Sequence, residues 1–426
     1  MNVSHAITSK NNYLNTPVLY LIAIVLGILA GLSDVGWLQN GGHFIAEVFI
    51  RMFKCISLPI ISLSIIVTLS NYQTSDNMRS VWRRTMTYTL STTLIAAIIS
   101  MFLYLLIHPS MATSAGQPLT TVLPTTQETG YLSHLMNLIP TSIIAPFLSD
   151  DQVITVLFIG IVIGLAIRYI PDQDAQDTIR QFFKGSHGLF MVIIRWVVAI
   201  IPIGLFGFIS TTVVQLRGGM QLKGIGEYLL IIVLANLIQG LIVLPLWLRS
   251  QGIKPFATLK SMLPALSLAF FSKSSVGSLA VTMNTAEKNL NIDPKISRSV
   301  FPLCTSINMN GCAAFIFTTV IYLMQNGGVH ITIPMMMMWT VIATVAAIGN
   351  AGVPMGCFFI SASLLASMNM PIYLLGIILP FYSLIDMLET ALNVWSDSCV
   401  VRVVDEKNKQ HAIDTPDYAS SDSQIA

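Results

Sequence analysis

The sequence predicts an all-α membrane protein of eight transmembrane helices plus two re-entrant helical hairpins. Three observations carry that prediction. Of 426 residues, 54% are hydrophobic and 10% charged, with a mean hydropathy of +0.72, whereas a soluble domain carries about 25% charged residues. Apolar runs of roughly 20 residues, the length that crosses a bilayer, follow one another from Tyr20 onward and leave no room for a soluble domain. Two further apolar stretches are cut by Gly, Pro, Ser or Lys into arms too short to cross. A single membrane domain over residues 1–426 is expected, in contact with lipid. The formal net charge of +2 is close to balance and gives no sign of a nucleic-acid partner.

The first run, Pro17–Leu32, is preceded only by Lys10, and no small-residue cleavage site follows Gly31, so it reads as a retained helix. Phe44–Leu69 and Thr85–Ile107 are the second and third runs. Pro109–Gly130, rich in Ser, Thr, Pro and Gly, reads as an exposed extracytoplasmic loop. Val153–Ile170, Phe190–Val214 and Tyr228–Leu248 come next. Lys and Arg cluster in alternate connections: Arg79, Arg83 and Arg84, then Arg168, Arg180 and Lys184, then Arg249, Lys254 and Lys260. Ser33–Gly42 and Pro109–Gly130 contain neither residue type, and Arg217 and Lys223 are a minor exception. The positive-inside rule puts both termini in the cytoplasm of a cell (inner or plasma) membrane protein.

The first hairpin is expected over 257–289, broken at Phe271–Ser278, and the second over 332–370, broken at Gly349–Gly356. Between them, Ile296–Met324 is interrupted by Thr305–Cys312. Asn and Gly are poor helix formers, so the backbone should unwind there and free carbonyls, which are ligands suited to an alkali cation. Pro371–Val404 is the last span, and the polar residues 405–426 are expected to be disordered. The order hairpin, span, hairpin, span suggests an inverted repeat over Ala257–Val404. Irregular backbone at bilayer depth survives only against protein or a watery cavity, so such paired broken segments point to a ligand site near the midplane of a transporter.

The last span carries the chemistry. Asp386, Glu389, Thr390, Asn393 and Asp397 fall within an arc of about 100° on a helix. An ionised carboxylate at bilayer depth costs at least about 2.5–3.5 kcal/mol, so this stripe needs a buried cavity, a cation or a polar ligand. For Glu389 a salt bridge with Lys273 stays open. Thr390 and Asn393 could instead bond neighbouring helices, and Ser274 and Ser275 could cap the half-helices of the first hairpin. Cys55, Cys304, Cys312, Cys357 and Cys399 show neither CxxC nor Cys/His spacing, so packing is expected of them, with no disulfide framework or metal cluster. No cofactor is indicated. An intramembrane aspartyl protease would need its two acids on separate helices after Tyr and Gly-x-Gly, whereas Asp386 and Asp397 share one helix and follow Ile385 and Ser396. The chain does not read as an enzyme.

Lys273-Ser274-Ser275 with Val281-Thr282-Met283, the Asn308-Met309-Asn310-Gly311 turn, Ala351-Gly352-Val353-Pro354, and Asp386-Met387 followed by Thr390, Asn393 and Asp397 together resemble the dicarboxylate/amino acid:cation symporter family, over nearly the whole chain. The resemblance implies a homotrimer working by elevator-type alternating access, with scaffold and transport subdomains. Residues 17–70 and 129–220 would be mainly scaffold, and 78–108 and 224–404 mainly the transport unit. It implies symport of an amino acid with Na⁺ or H⁺. Asp386 would take the substrate ammonium, Asn393 and the hairpin tips (Ser274, Ser275 and Val353) its carboxylate, and Glu389 with Thr390 its side chain, with Cys312 and Cys357 also in the substrate site. Asp397 with carbonyls near Cys304, Asn308 and Asn393 would hold one cation. Carbonyls of Ser306, Met309 and the stretch Ala347, Ile348 to Asn350 would hold a second, and Thr92, Thr93, Asn308 and Asn310 a third.

This chain departs from the family at informative places. Asn310 and Cys312 stand where the family's turn has an acid and a hydroxyl, and Thr89 where a Tyr is usual, which weakens the third cation site. Glu389 stands where acid-transporting members carry an Arg, as in the serine/threonine-transporting branch. At about 4 Å and an effective dielectric of about 20, it would repel a substrate carboxylate by roughly 4 kcal/mol, near a thousandfold in affinity. A small neutral polar amino acid is therefore expected, with a cationic or dicarboxylate substrate, proton coupling, or a passive ion channel on the same fold as alternatives.

Overall fold

The computed structural model describes residues 16–70, 79–112, 142–144, 146, 153–217, 223–350, 355–368, 370 and 373–414. These residues form helices and connections, with no strand among them. A peripheral group consists of α1 (Thr16–Leu32), α2 (Gly36–Ser70), α4 (Val153–Ile167) and α6 (Ile201–Arg217), which pack on one another. Their outward faces are apolar: Leu21, Leu26 and Leu29 of α1 and Ile203 of α6 are all exposed. A surface of that kind fits lipid or a partner chain.

The inner group surrounds α12 (Asn310–Asn326), whose residues from Asn310 to Met324 are all buried. Around it lie α3 (Arg79–Ile107), α7 (Lys223–Ile238), α13 (Ile333–Ile348), α14 (Gly356–Ser367) and α15 (Tyr373–Asp414). Tyr228 of α7 stacks on Tyr322 of α12 with ring centroids 4.9 Å apart, and its hydroxyl meets Thr319 Oγ1 at 2.8 Å. A buried Tyr hydroxyl needs such a partner.

Among the described residues, three segments are long and apolar enough to cross a membrane: Ser80–Ile107, Gly224–Ser250 and Pro294–Asn326. The expected run Phe190–Val214 is not one helix. It is divided at Ile200 between α5 (Gln173–Ala199) and α6. The first half of α5 is too polar to signal a span, with Gln173, Asp174, Asp177, Arg180 and Lys184. The sixth run is continuous but distorted, since α7 passes through a π-turn at Gln239–Val243 into α8 (Leu244–Ser250). The extra residue in that turn leaves the Gly240 carbonyl to accept from Trp395 Nε1 at 2.9 Å.

Both broken stretches form helix pairs. In the first, α9 (Pro255–Ser272) and α10 (Ser275–Leu290) pack together across Lys273, a left-handed residue with φ 55°. In the second, α13 and α14 are separated in sequence by a connection of which residues 351–354 lie outside the described residues. The expected break in the seventh span falls at Asn308–Met309, between α11 (Pro294–Ile307) and α12. Most of the expected loop at 109–130 also lies outside the described residues. At its start, Ser110 N donates to Glu227 Oε2 at 2.6 Å and Ala112 N to Asn326 Oδ1 at 2.7 Å.

The expectation of disorder from residue 405 is corrected: α15 continues to Asp414. Tertiary contacts explain it. Arg402 Nη1 donates to the Leu290 carbonyl and Lys409 Nζ to that of Asn291, both at 3.0 Å, and buried Asp405 accepts from Asp293 N at 3.1 Å and pairs with Lys409 at 2.7 Å. The end of α15 thus clasps the turn between α10 and α11. Residues 415–426 lie outside the described residues.

Candidate functional site

All five members of the α15 stripe are buried, with Asp386, Glu389, Thr390, Asn393 and Asp397 at 1–6% exposure. They face the break between α11 and α12. Asn308 and Met309 leave helical geometry there (φ/ψ −95°/71° and −106°/63°), and the opened turn presents its amides to α15. Gly311 N donates to Asn393 Oδ1 at 2.9 Å. The approach is close enough that a Cβ on Gly311 would come 2.8 Å from Glu389 Cα. Gly311→Ala should therefore cost about 1–3 kcal/mol of stability through overpacking. The check is thermal unfolding of the purified protein in detergent. An unchanged midpoint would mean that the two helices can separate without loss.

The lower half of the stripe sits in a polar network. Asp397 Oδ1 accepts from Asn308 Nδ2 at 2.9 Å and Oδ2 from Thr305 Oγ1 at 3.4 Å. Asn308 Nδ2 also reaches Ser396 Oγ at 2.9 Å, while its Oδ1 accepts from Thr92 Oγ1 at 3.0 Å and Asn310 Nδ2 at 2.8 Å. Among the described residues, no cationic side chain bonds Asp397. A buried carboxylate held only by neutral donors suits a cation better than it suits an empty apolar interior. The structure thus brings Asp397, Asn308, Asn310 and Thr92 together. Thr93 Oγ1 is buried with no hydrogen-bond partner among the described residues.

Of the carbonyls in the expected cation sites, that of Cys304 accepts from Asn308 N at 2.7 Å, that of Met309 from Ala313 N at 3.0 Å and that of Ala347 from Asn350 N at 3.0 Å. Each keeps a second lone pair. Asn350 and Met309 meet, with Nδ2 3.8 Å from Sδ. Ser306 turns its hydroxyl back to the Pro302 carbonyl at 3.2 Å, and Ile348 ends α13 beside Asn350.

Sequence reasoning missed Gln239. Its Nε2 donates to Asn310 Oδ1 at 2.6 Å and to the Thr92 carbonyl at 3.1 Å, so a side-chain amide occupies two acceptors of the expected third cation site. A Gln within the apolar run Tyr228–Leu248 was the available signal. Ser396 was the other omission, hidden because it precedes Asp397 without sharing the period of the stripe.

In the upper half, Asp386 Oδ2 accepts from Met355 N at 3.3 Å, and Thr390 Oγ1 donates to the Asp386 carbonyl at 2.7 Å. Glu389 Oε2 accepts a long bond of 3.5 Å from Tyr382, while Oε1 has no hydrogen-bond partner among the described residues. The open alternative of a Lys273–Glu389 salt bridge is corrected: Lys273 Nζ donates instead to Ser383 Oγ at 2.6 Å, one turn before Asp386. That bond also seats the first hairpin tip against α15. Ser274 Oγ accepts from Gly277 N at 3.0 Å, so it caps α10, and Ser275 is buried beside it. Val353 lies outside the described residues.

The expectation that the cysteines form no disulfide is also corrected, for two of the five. Cys304 and Cys399 are buried and free, and Cys55 is exposed and free, but the sulfurs of Cys312 and Cys357 are in disulfide contact, with Cα atoms 5.4 Å apart. Forty-five residues separate them in sequence. Only the folding of α14 against α12 brings them together.

A family model described as the sodium:dicarboxylate symporter family matches residues 17–407. The neutral amino acid transporter B(0) of Oryctolagus cuniculus is 24% identical, over 96% of this chain and 82% of its own length. The neutral amino acid transporter A of Homo sapiens is 25% identical, over 86% and 76%. A Caenorhabditis elegans protein, provisionally named a sodium-dependent excitatory amino acid transporter, is 25% identical over 95% and 93%.

Proposed function

Since the chain belongs to the sodium:dicarboxylate symporter family, a family of transporters and not of enzymes, we propose that it carries a small neutral polar amino acid of the Ser/Thr type together with Na⁺. The observation that carries the substrate class is Glu389. It is buried to 1% exposure, has one oxygen without a hydrogen-bond partner among the described residues and receives no salt bridge from Lys273. A substrate hydroxyl donating to that oxygen would satisfy it, whereas a substrate carboxylate would be repelled. The relatives bear names of both neutral and excitatory amino acid transporters, so Glu389 has to separate the two classes.

In this reading Asp386 binds the ammonium, and Asn393, Ser274, Ser275 and Val353 surround the carboxylate. Asp397 and the Asn308 turn hold Na⁺. The Gln239 amide, donating into the third cation site, favours fewer than three coupled cations. The two helix pairs would be re-entrant hairpins in an architecture of eight spans, moving as part of an elevator in a homotrimer with both termini cytoplasmic. A cationic substrate is the second reading, because the same orphan oxygen would attract an amine.

The test is uptake by proteoliposomes of each labelled amino acid under an imposed Na⁺ or H⁺ gradient. Concentrative Ser or Thr uptake driven by Na⁺ supports the proposal. Lys or ornithine uptake would favour the second reading, and flux without accumulation a passive pore.

A further inference from the structure

We infer that Cys312, Cys357 and Glu389 form a binding site for a thiophilic divalent cation, of the Zn²⁺ or Cd²⁺ type, in which the ion bridges α12, α14 and α15. The two sulfurs and a carboxylate oxygen of Glu389 lie within 4.8 Å of one another, and all three residues are buried to 2% exposure or less. Two thiolates with one carboxylate and a fourth position left open is a donor set that zinc accepts. The Cα separation of 5.4 Å suits two ligands of one tetrahedral ion as well as it suits a disulfide.

Two features favour the ion over a permanent disulfide. The Glu389 Oε1 atom has no hydrogen-bond partner among the described residues. A disulfide would give that oxygen no donor and no charge, whereas a dication satisfies it. The sulfurs are also surrounded by amide donors: Asn350 Nδ2 lies 2.9 Å from Cys312 Sγ and 3.4 Å from Cys357 Sγ, and Asn393 Nδ2 lies 3.4 Å from Cys312 Sγ. N–H groups aimed at sulfur stabilise thiolates, and such outer partners tune metal affinity. Binding breaks two S–H bonds, forms two metal–sulfur bonds and releases two protons to water, with no change in redox state.

The ion would fasten the second hairpin to the core helix and occupy Glu389. Competition with an amino acid substrate follows only if Glu389 touches that substrate, as proposed above. Binding of the ion does not depend on that reading.

The experiment uses full-length protein in detergent, kept in a non-thiol phosphine reductant and titrated with Cd²⁺ alone. The expected result is one Cd²⁺ per chain with the ultraviolet charge-transfer band of cadmium–thiolate. Cys312→Ser and Cys357→Ser should each abolish most of that band, and Glu389→Gln should keep it while weakening affinity at least roughly tenfold. Three outcomes would overturn the inference: no band in the reduced wild type, an unchanged band in the double serine variant, or a Cys312–Cys357 pair that stays oxidised under reductant and takes no Cd²⁺. If Cd²⁺ binds as expected while no amino acid is transported, only the transport proposal fails.

Discussion

Glu389→Arg is expected to convert the protein from one that rejects acidic amino acids into one that takes them up. The change replaces a buried carboxylate whose Oε1 lacks a partner among the described residues with a guanidinium at the same turn of α15. Removing a like charge about 4 Å from a substrate carboxylate is worth roughly 4 kcal/mol at an effective dielectric of about 20, near a thousandfold in affinity. The planar fork of Arg then adds a paired interaction. Competition of labelled Ser uptake by aspartate and glutamate, compared between wild type and variant, reads the effect. Glu389→Gln is the control, because it removes the charge with little change of shape and should relieve repulsion without creating attraction. If the Arg variant keeps the wild-type preference, residue 389 does not face the substrate side chain.

The second large effect concerns Asp397→Asn, which should abolish most of the Na⁺ dependence. Asp397 is buried and held by Asn308 and Thr305, both neutral. An amide there loses roughly 4 kcal/mol of attraction for a cation about 4 Å away at the same dielectric, close to three decades of Na⁺ affinity. The stability effect has the opposite sign. Without Na⁺ the wild type bears an uncompensated buried carboxylate, which the variant lacks, so the variant should unfold at an equal or higher temperature in Na⁺-free buffer. Added Na⁺ raises the midpoint of the wild type by mass action and should leave that of the variant unchanged. A variant that still gains thermal stability from Na⁺ at wild-type concentrations would place the ion elsewhere.

The α15 stripe and the Asn308–Met309 break were legible in the sequence because each is a local anomaly. Acids at helical spacing in an apolar run, and Asn and Gly where a helix should continue, show without knowledge of neighbours. The partners were not legible, because they are fixed by tertiary packing. Lys273 could not be assigned to Ser383 rather than Glu389 from spacing, and Cys312 gives no sign of Cys357 until α14 is folded. Only the second half of α5 was legible, as part of the run from Phe190, because its first half is polar and belongs to an amphipathic helix that shows no continuous apolar run. The helical stretch from Asp405 to Asp414 has a polar composition that favours disorder in isolation. Its order comes from bonds to Leu290, Asn291 and Asp293, which no window of local sequence contains.

That clasp has a practical corollary for handling the protein. Affinity tags, fluorescent fusions or protease sites introduced at Val404 would sever the anchoring of the first hairpin's exit and leave Arg402 without the ionic neighbours that Asp405 and Glu406 supply. The same additions placed beyond Asp414 would spare it. A gene product shortened to Val404, the end of the apolar run, should therefore lose yield and heat resistance, even though every candidate ligand-binding side chain remains in the chain.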